Sequence, residues 1–285
     1  MNSSRLMHYL PVGIFMAGAL ALSFTGCGNS TKSDKAAEAF KTDSVGFVDT
    51  LRVDSCVASC SLSVDYPVEG NPVLVSNVRD WMADQMSYSS IVPEENRKVF
   101  RGVADGKVFL VSVGGYLLGQ AKTDFEEFVK EGFISNYEYI WNIGEEYRTD
   151  TYVTFGASSY VYLGGAHGGS SFVGAVFALD SGKQYGWNMF QPDSLSSLVP
   201  MIKERLMKDY FEVSDVAEFK DDLLVNPDTL PLPATAPYFL ADGVHFIYQQ
   251  YEIAPYSEGM PGCVIPFSAL MDKFTPEVKK LLEKK

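Results

Sequence analysis

Three histidines in 285 residues leave little room for imidazole chemistry. His8 lies in an N-terminal apolar stretch, so the rest of the chain has only His167 and His245. Neither stands in an H-E-x-x-H spacing, and no G-x-S-x-G elbow occurs, so the common sequence signatures of zinc and serine hydrolases are missing. Asp221 and Asp222 are adjacent and solvated, unlike a carboxylate pair that flanks a glycosidic bond. Cations are scarce too, 23 Lys and Arg against 36 Asp and Glu. That balance excludes a nucleic acid or anionic surface held by overall field, and leaves a basic partner open. The longest apolar run, Leu10–Leu22, is 13 residues, short of the roughly 20 needed to span a bilayer. There are no internal repeats.

What that run does fit is a signal peptide over residues 1–26, with Arg5 before it and Ser23-Phe24-Thr25-Gly26 leading to Cys27. Small residues followed by Cys resemble a bacterial lipobox, so Cys27 is expected to become the lipidated first residue, carrying fatty acyl chains such as palmitate. Gly28, rather than Asp, resembles lipoproteins sent on to the outer membrane, facing periplasm or cell surface. Loss of Arg5 takes the formal charge from −13 to −14. Residues 27–44, rich in Ser, Lys and Ala, have the composition of a tether. Hydrophobic residues at 46% and aromatics at 13% then describe a packed chain, not a disordered one. Cys56, Cys60 and Cys263 remain, and an oxidising envelope suggests one disulfide and one free thiol. On one continuous strand Cys56 and Cys60 are about 13 Å apart, too far to bridge. A bridge from either to Cys263, or none, stays open.

Val45–Val53 and Cys56–Tyr66 read as two strands of an N-terminal α+β module over 45–150. Val75, Val78, Met82 and Met86 recur at spacings of three and four, predicting a helix over about Leu74–Ser87. Phe125, Phe128, Val129 and Phe133 predict a second over Thr123–Phe133. Tyr137, Tyr139, Ile140 and Trp141 extend the core. The C-terminal module, 151–285, begins in an alternating stretch, Tyr147–Ser158, that leads to a meander of three strands. Pro192-Asp193-Ser194 opens a helix reaching Tyr210, Asp215–Leu224 a shorter one, and the prolines of Asn226–Pro237 a connector. Asp242-Gly243 between apolar runs signals a hairpin, its second strand running on through Tyr251-Glu252. Cys263–Phe267 is a further strand, and Thr275-Pro276 caps a last helix.

The centre of the chain is Ser159–Gln184, read as strand, glycine-rich loop, strand and turn. Gly164, Gly165, Gly168 and Gly169 surround His167, and each glycine costs backbone entropy of about 0.5–1 kcal/mol. Tyr162-Leu163-Gly164-Gly165-Ala166-His167-Gly168, then Phe177–Lys183, then Tyr251-Glu252-Ile253-Ala254-Pro255-Tyr256 and Gly259, resemble the extracellular domain of RsiV-like proteins. That family includes a lysozyme-sensing anti-sigma factor, and its domain also occurs beside polysaccharide deacetylase domains. The resemblance covers roughly Val153–Phe274 and implies an α+β fold with helices packed on one side of an antiparallel sheet, in agreement with the periodicity. With no sigma-binding segment and no transmembrane helix in the sequence, sigma regulation does not carry over; a lysozyme- or glycan-related binding role does.

The expected binding residues are Tyr162, Gly164, Gly165, His167, Gly168, Glu252 and Tyr256. His167 has two uses: a projecting imidazole that meets a partner's carboxylates or a sugar, or a ring bonded to backbone in a glycine-cleared corner. Glu252, inside an apolar strand, needs a partner for its charge. A metal site of His167, His245 and Glu252 is conceivable, without supporting spacing. The expected function is therefore a lipid-anchored envelope binding protein, without catalysis or cofactor, that captures or inhibits a lysozyme-type muramidase. The alternatives are a peptidoglycan-binding accessory using Tyr160, Tyr162 and Tyr256, and a metal-dependent enzyme.

Overall fold

The computed structural model describes residues 40–86 and 98–283. The expected signal peptide, Cys27 and the expected tether as far as residue 39 lie outside the described residues. Strand β1 (Lys41–Val53) already begins within the expected tether. The reason is Phe40, which is buried, with its ring edge-on to Phe155 at 6.3 Å and 5.0 Å below the Arg148 guanidinium. β1 turns back into β2 (Cys56–Glu69), with Val53 opposite Cys56. Alternation places Cys56, Ala58, Cys60, Leu62, Val64 and Tyr66 on the buried face and serines on the other.

Two helices cover that buried face. α1 (Pro72–Met86) matches its periodicity and sets Trp81 edge-on to Phe177, 6.1 Å between centroids. α2 spans Gly106–Glu131, far longer than the Thr123–Phe133 expected from the phenylalanines alone. Asp105 caps it by accepting from the Val108 N–H at 2.9 Å, and Gly132, at φ 79°, ends it. Gly114 in its middle is a packing device, because a Cβ there would stand 2.1 Å from the Phe47 ring.

β3 (Asn136–Arg148), β4 (Tyr152–Leu163) and β5 (Gly169–Ala178) form the meander, and β6 (Gln184–Tyr185) closes the sheet in the order β1 to β6. Every pair is antiparallel except β2–β3, which is parallel because the helices carry the chain between them. Tyr147–Ser158 is not one strand. Thr149–Thr151 turns there, with the Thr149 N–H donating to the Tyr152 carbonyl at 2.9 Å. The division at 150–151 thus falls between two paired strands of one sheet.

The other face of β4 and β5 carries a second, three-stranded antiparallel sheet of β7 (Tyr238–Leu240), β8 (Gly243–Ile247) and β9 (Gly262–Ile265). The Thr154 hydroxyl donates to the Phe239 carbonyl at 2.7 Å, and Tyr238 lies over Gly174, where a Cβ would meet it at 2.2 Å. Around this sheet pack α3 (Leu195–Arg205), continued by a π turn over Leu206–Tyr210, α4 (Val216–Asp221), α5 (Phe267–Leu270) and α6 (Pro276–Glu283). The fold is α+β. No helix among the described residues is long and apolar enough to cross a membrane.

Cys56, Cys60 and Cys263 are all free and buried, so the one-disulfide count does not hold. The first two belong to the core under the helices and Cys263 to the core around the second sheet. Burial pushes the Cys60 and Cys263 thiols up to about 12, which keeps them protonated and unreactive.

Candidate functional site

The β4–β5 connection, 164–168, is exposed around His167. Gly164 and Gly165 adopt φ of 82° and 99°, a region costly for residues with a Cβ. Gly168 serves a different need: a Cβ there would lie 2.5 Å from the Tyr160 ring. Tyr162 braces the loop from the sheet, its hydroxyl donating to the Gly165 carbonyl at 3.0 Å.

His167 combines both uses open to it in the sequence. Its Nδ1 lies 3.0 Å from the Gly168 carbonyl, an acceptor, which assigns the proton to Nδ1. Nε2 then accepts from the Tyr251 hydroxyl at 3.2 Å. The imidazole is nevertheless exposed and lies flat on Tyr256, with centroids 3.9 Å apart, and Tyr251 flanks it at 6.3 Å. Aromatic contacts of this kind stabilise by about 0.5–1.5 kcal/mol beyond area burial.

Tyr251 was not among the expected residues. It is 53% exposed and sits at φ 65°, where a bulky residue is a true outlier. Holding such a residue costs roughly 1–3 kcal/mol and is common at ligand sites. The expected strand through Glu252 does not form, because β8 stops at Ile247. Gln249 and Gln250 instead turn their side chains to β5. Gln249 accepts from the Phe172 N–H at 3.1 Å and donates to its carbonyl at 2.8 Å, while Gln250 accepts from the Ser170 N–H at 2.7 Å. These amides cap the part of the β5 edge that β6 leaves open. The Gln-Gln pair ending an apolar run was the available signal.

Glu252 is a clamp, not a contact residue. Its two carboxylate oxygens accept from the Ala234 N–H at 2.6 Å and the Gln249 N–H at 2.7 Å. The partner for its charge is therefore backbone, and it fixes the turn that presents Tyr251. Tyr256 opens a short turn, Tyr256–Glu258, held by the Tyr210 hydroxyl donating to the Glu258 carbonyl. His245 pairs with Asp242 at 2.7 Å, and His167, His245 and Glu252 are not brought together; no group of three or more metal-ligating side chains occurs among the described residues.

Beside the loop, the face of the large sheet away from the helices is open. Its rows follow from the register: Val48, Ser61, Ile140, Tyr160 and Ser170 in one, Thr50, Ser59, Glu138 and Tyr162 in the next. Burial, then the nearby Glu138 carboxylate, raises the Tyr160 hydroxyl above its ordinary value.

Together these features define an α+β protein of two stacked sheets whose chain reversals meet in an exposed aromatic loop. Residues 188–268 match the model of DUF3298, a family described as a protein of unknown function, and so form a DUF3298 domain. Tyr251, Glu252 and Tyr256 fall inside it; the glycine loop precedes it. Among solved structures, the chain is similar to a DUF3298 family member from Bacteroides fragilis NCTC 9343, at TM-score 0.69 and 17% identity over 87% of this chain and 98% of that one. It is also similar to a DUF3298 family protein from Pseudomonas aeruginosa PAO1, at TM-score 0.51 and 14% identity over 85% of this chain and 98% of that one. These likenesses describe the fold. No curated protein matches the chain.

Proposed function

We propose that the chain is a lipid-anchored cell-envelope binding protein, without catalytic activity of its own, that captures a basic lysozyme-type muramidase through the His167 loop. The observation that carries this reading is the loop's combination of exposure and bracing. A strained Tyr251, a stacked Tyr256 and a bonded Tyr162 hold an imidazole in solvent at a fixed place. Core histidines need no such support. Preorganisation of this kind lowers the ordering cost of binding.

Topology supports the same reading. β1 starts at Lys41, opposite Glu69, and ends at Val53, opposite Cys56, at the edge where Val57 neighbours Asn136 and Tyr137 faces Leu163. The loop after Leu163 is thus a strand's length, about 40 Å, from the point where the chain enters the sheet. An acyl anchor on Cys27 would join the chain on the N-terminal side of that entry point, and the loop lies at the other end of β1. The acidic surface steers a basic enzyme toward it.

The test is a calorimetric titration of the chain from Gly28 onward with a basic lysozyme at low and moderate salt. Binding that weakens with salt and vanishes when 164–169 is replaced supports the reading; no binding at either salt overturns it. Labelling with a palmitate analogue, abolished in Cys27→Ala, tests the anchor.

A further inference from the structure

We propose that the open face of the six-stranded sheet is a separate saccharide-binding surface, taking a linear glycan that is uncharged or bears free amines. Its centre is Ser59, Ser61, Glu138, Ile140, Tyr160 and Tyr162, brought side by side by the register of β2, β3 and β4.

The helices cover one face of this sheet and the second sheet covers only part of the other. The remainder is unlike the core of a protein interface, where charge is depleted and apolar area dominates. Serine, threonine and asparagine alternate outward here, with Ile140 and two half-buried tyrosines among them. The hydroxyls of Ser59 and Ser61 and the carboxylate of Glu138 make no protein hydrogen bond among the described residues, although the neighbouring Ser63 and Asn142 bond each other at 2.7 Å. Free hydroxyls two residues apart along β2, a carboxylate able to accept from adjacent sugar hydroxyls, and tyrosine rings for the apolar faces of pyranoses are what a flat glycan needs.

Charge fixes the class further. The outward positions of β2, β3 and β4 include Asp65 and Glu138 and no lysine or arginine. The one cation nearby among the described residues is Arg52, outward on β1 in the row of Val57 and Asn136; at the centre a uronate or phosphate polymer would face carboxylates, whereas an amino sugar would find its counter-charge. The muramidase reading is not needed for this inference, and the two surfaces can fail independently.

The experiment titrates the chain from Gly28 onward with tetramers of N-acetylglucosamine, glucosamine and galacturonic acid, following the backbone amides of 57–63 and 136–142 by NMR. The first two tetramers should bind with shifts confined to those strands, and the third should not. Glu138→Gln should weaken the glucosamine tetramer at least tenfold. Tyr162→Ala should weaken both binders at least tenfold, with affinity restored in Tyr162→Phe, which keeps the ring and loses the brace on Gly165. Replacement of 165–167, which keeps Gly168 beside the Tyr160 ring, should leave sugar binding intact, as Glu138→Gln should leave lysozyme binding intact. Failure of all tetramers to bind overturns the proposal. So does binding that ignores the variants, or a dimer in sedimentation equilibrium that Ile140→Lys dissociates, since a second copy would then own this face.

Discussion

The imidazole of His167 lies flat on the ring of Tyr256, 3.9 Å between centroids and 26° from parallel, although the two residues are far apart in sequence and His167 is exposed. One comes from the large sheet's hairpin and the other from the loop between β8 and β9, so the contact joins the two sheets at their tips. Loss of one such stacked pair costs about 0.5–1.5 kcal/mol. Tyr256→Ala should therefore lower stability by about 1 kcal/mol in urea unfolding, while removing lysozyme binding altogether. A variant equally destabilised that still binds would show that the stack merely packs the tip.

Tyr251 separates strain from function. At φ 65°, asparagine is far better tolerated than tyrosine. Tyr251→Asn should be as stable as the parent or more stable by up to about 1 kcal/mol, and should lose affinity for the partner, because His167 Nε2 loses its donor. Destabilisation by more than about 1 kcal/mol would mean that the ring contacts outweigh the backbone strain.

The glutamate beside it behaves in the opposite way. Glu252 satisfies two backbone N–H groups from different turns. Glu252→Ala leaves both unpaired and should cost about 2–3 kcal/mol, with Glu252→Gln, which keeps one good acceptor, costing about half. Thermal unfolding of the pair checks this; equal losses in Ala and Gln would mean that charge matters and acceptor geometry does not.

How much of this was legible in the sequence depends on whether a side chain or the backbone carries the signal. Alternation in Cys56–Tyr66 and the spacing of Val75, Val78, Met82 and Met86 announce β2 and α1 directly, since each element buries one face. The first half of α2 was hidden by Gly114, Gly115 and Gly119, each of which lowers helix propensity by about 1 kcal/mol against alanine. Gly114 is there because Phe47 occupies the space of its side chain, a contact across the fold that no local window contains. The glycine loop and Tyr256 were legible, and their stacking was not. Tyr251 reads as a strand residue by propensity, and only its backbone angle reveals the turn.

Glu146 supplies a pH dependence. One of its carboxyl oxygens lies 2.6 Å from where a Cβ on Gly156 would stand. Burial against that backbone, and then the Asp65 carboxylate, raise its pKa above the ordinary glutamate value. A carboxyl with a raised folded pKa binds its proton more tightly in the folded than in the unfolded chain. Its stabilising effect is therefore present in acid and lost as pH rises through the window between the unfolded and folded values. Glu146→Gln removes that loss. The variant should gain stability at pH 7, by no more than about 1 kcal/mol because the side chain as a whole is exposed to screening. Below pH 4 the gain should disappear. Denaturant unfolding of both proteins at pH 3.5 and 7 checks it, and a gain of equal size at both pH values would assign the effect to packing instead of charge.

The joint between the sheets rests on Gly174, and it offers the strongest structural test. β5 must let Tyr238 lie directly on its backbone, because a Cβ at 174 would stand 2.2 Å from the tyrosine ring. The ring cannot retreat easily. Tyr238 is buried, packs against Phe172 at 5.5 Å and stacks on His245 at 5.2 Å, while Phe239 next to it accepts the Thr154 hydroxyl bond. Gly174→Ala should therefore destabilise by about 1–3 kcal/mol through overpacking, even though alanine suits a strand better than glycine. Because the Gln249 and Gln250 caps on β5 lie further along the same joint, the displacement should also speed hydrogen exchange at the Ser170 and Phe172 amides that those side chains hold. Exchange at β1 and β2, on the far side of the sheet, should follow only the global loss of stability. Uniform acceleration across both sheets would show that they unfold as one unit and that the joint at Gly174 has no local role in positioning the His167 tip.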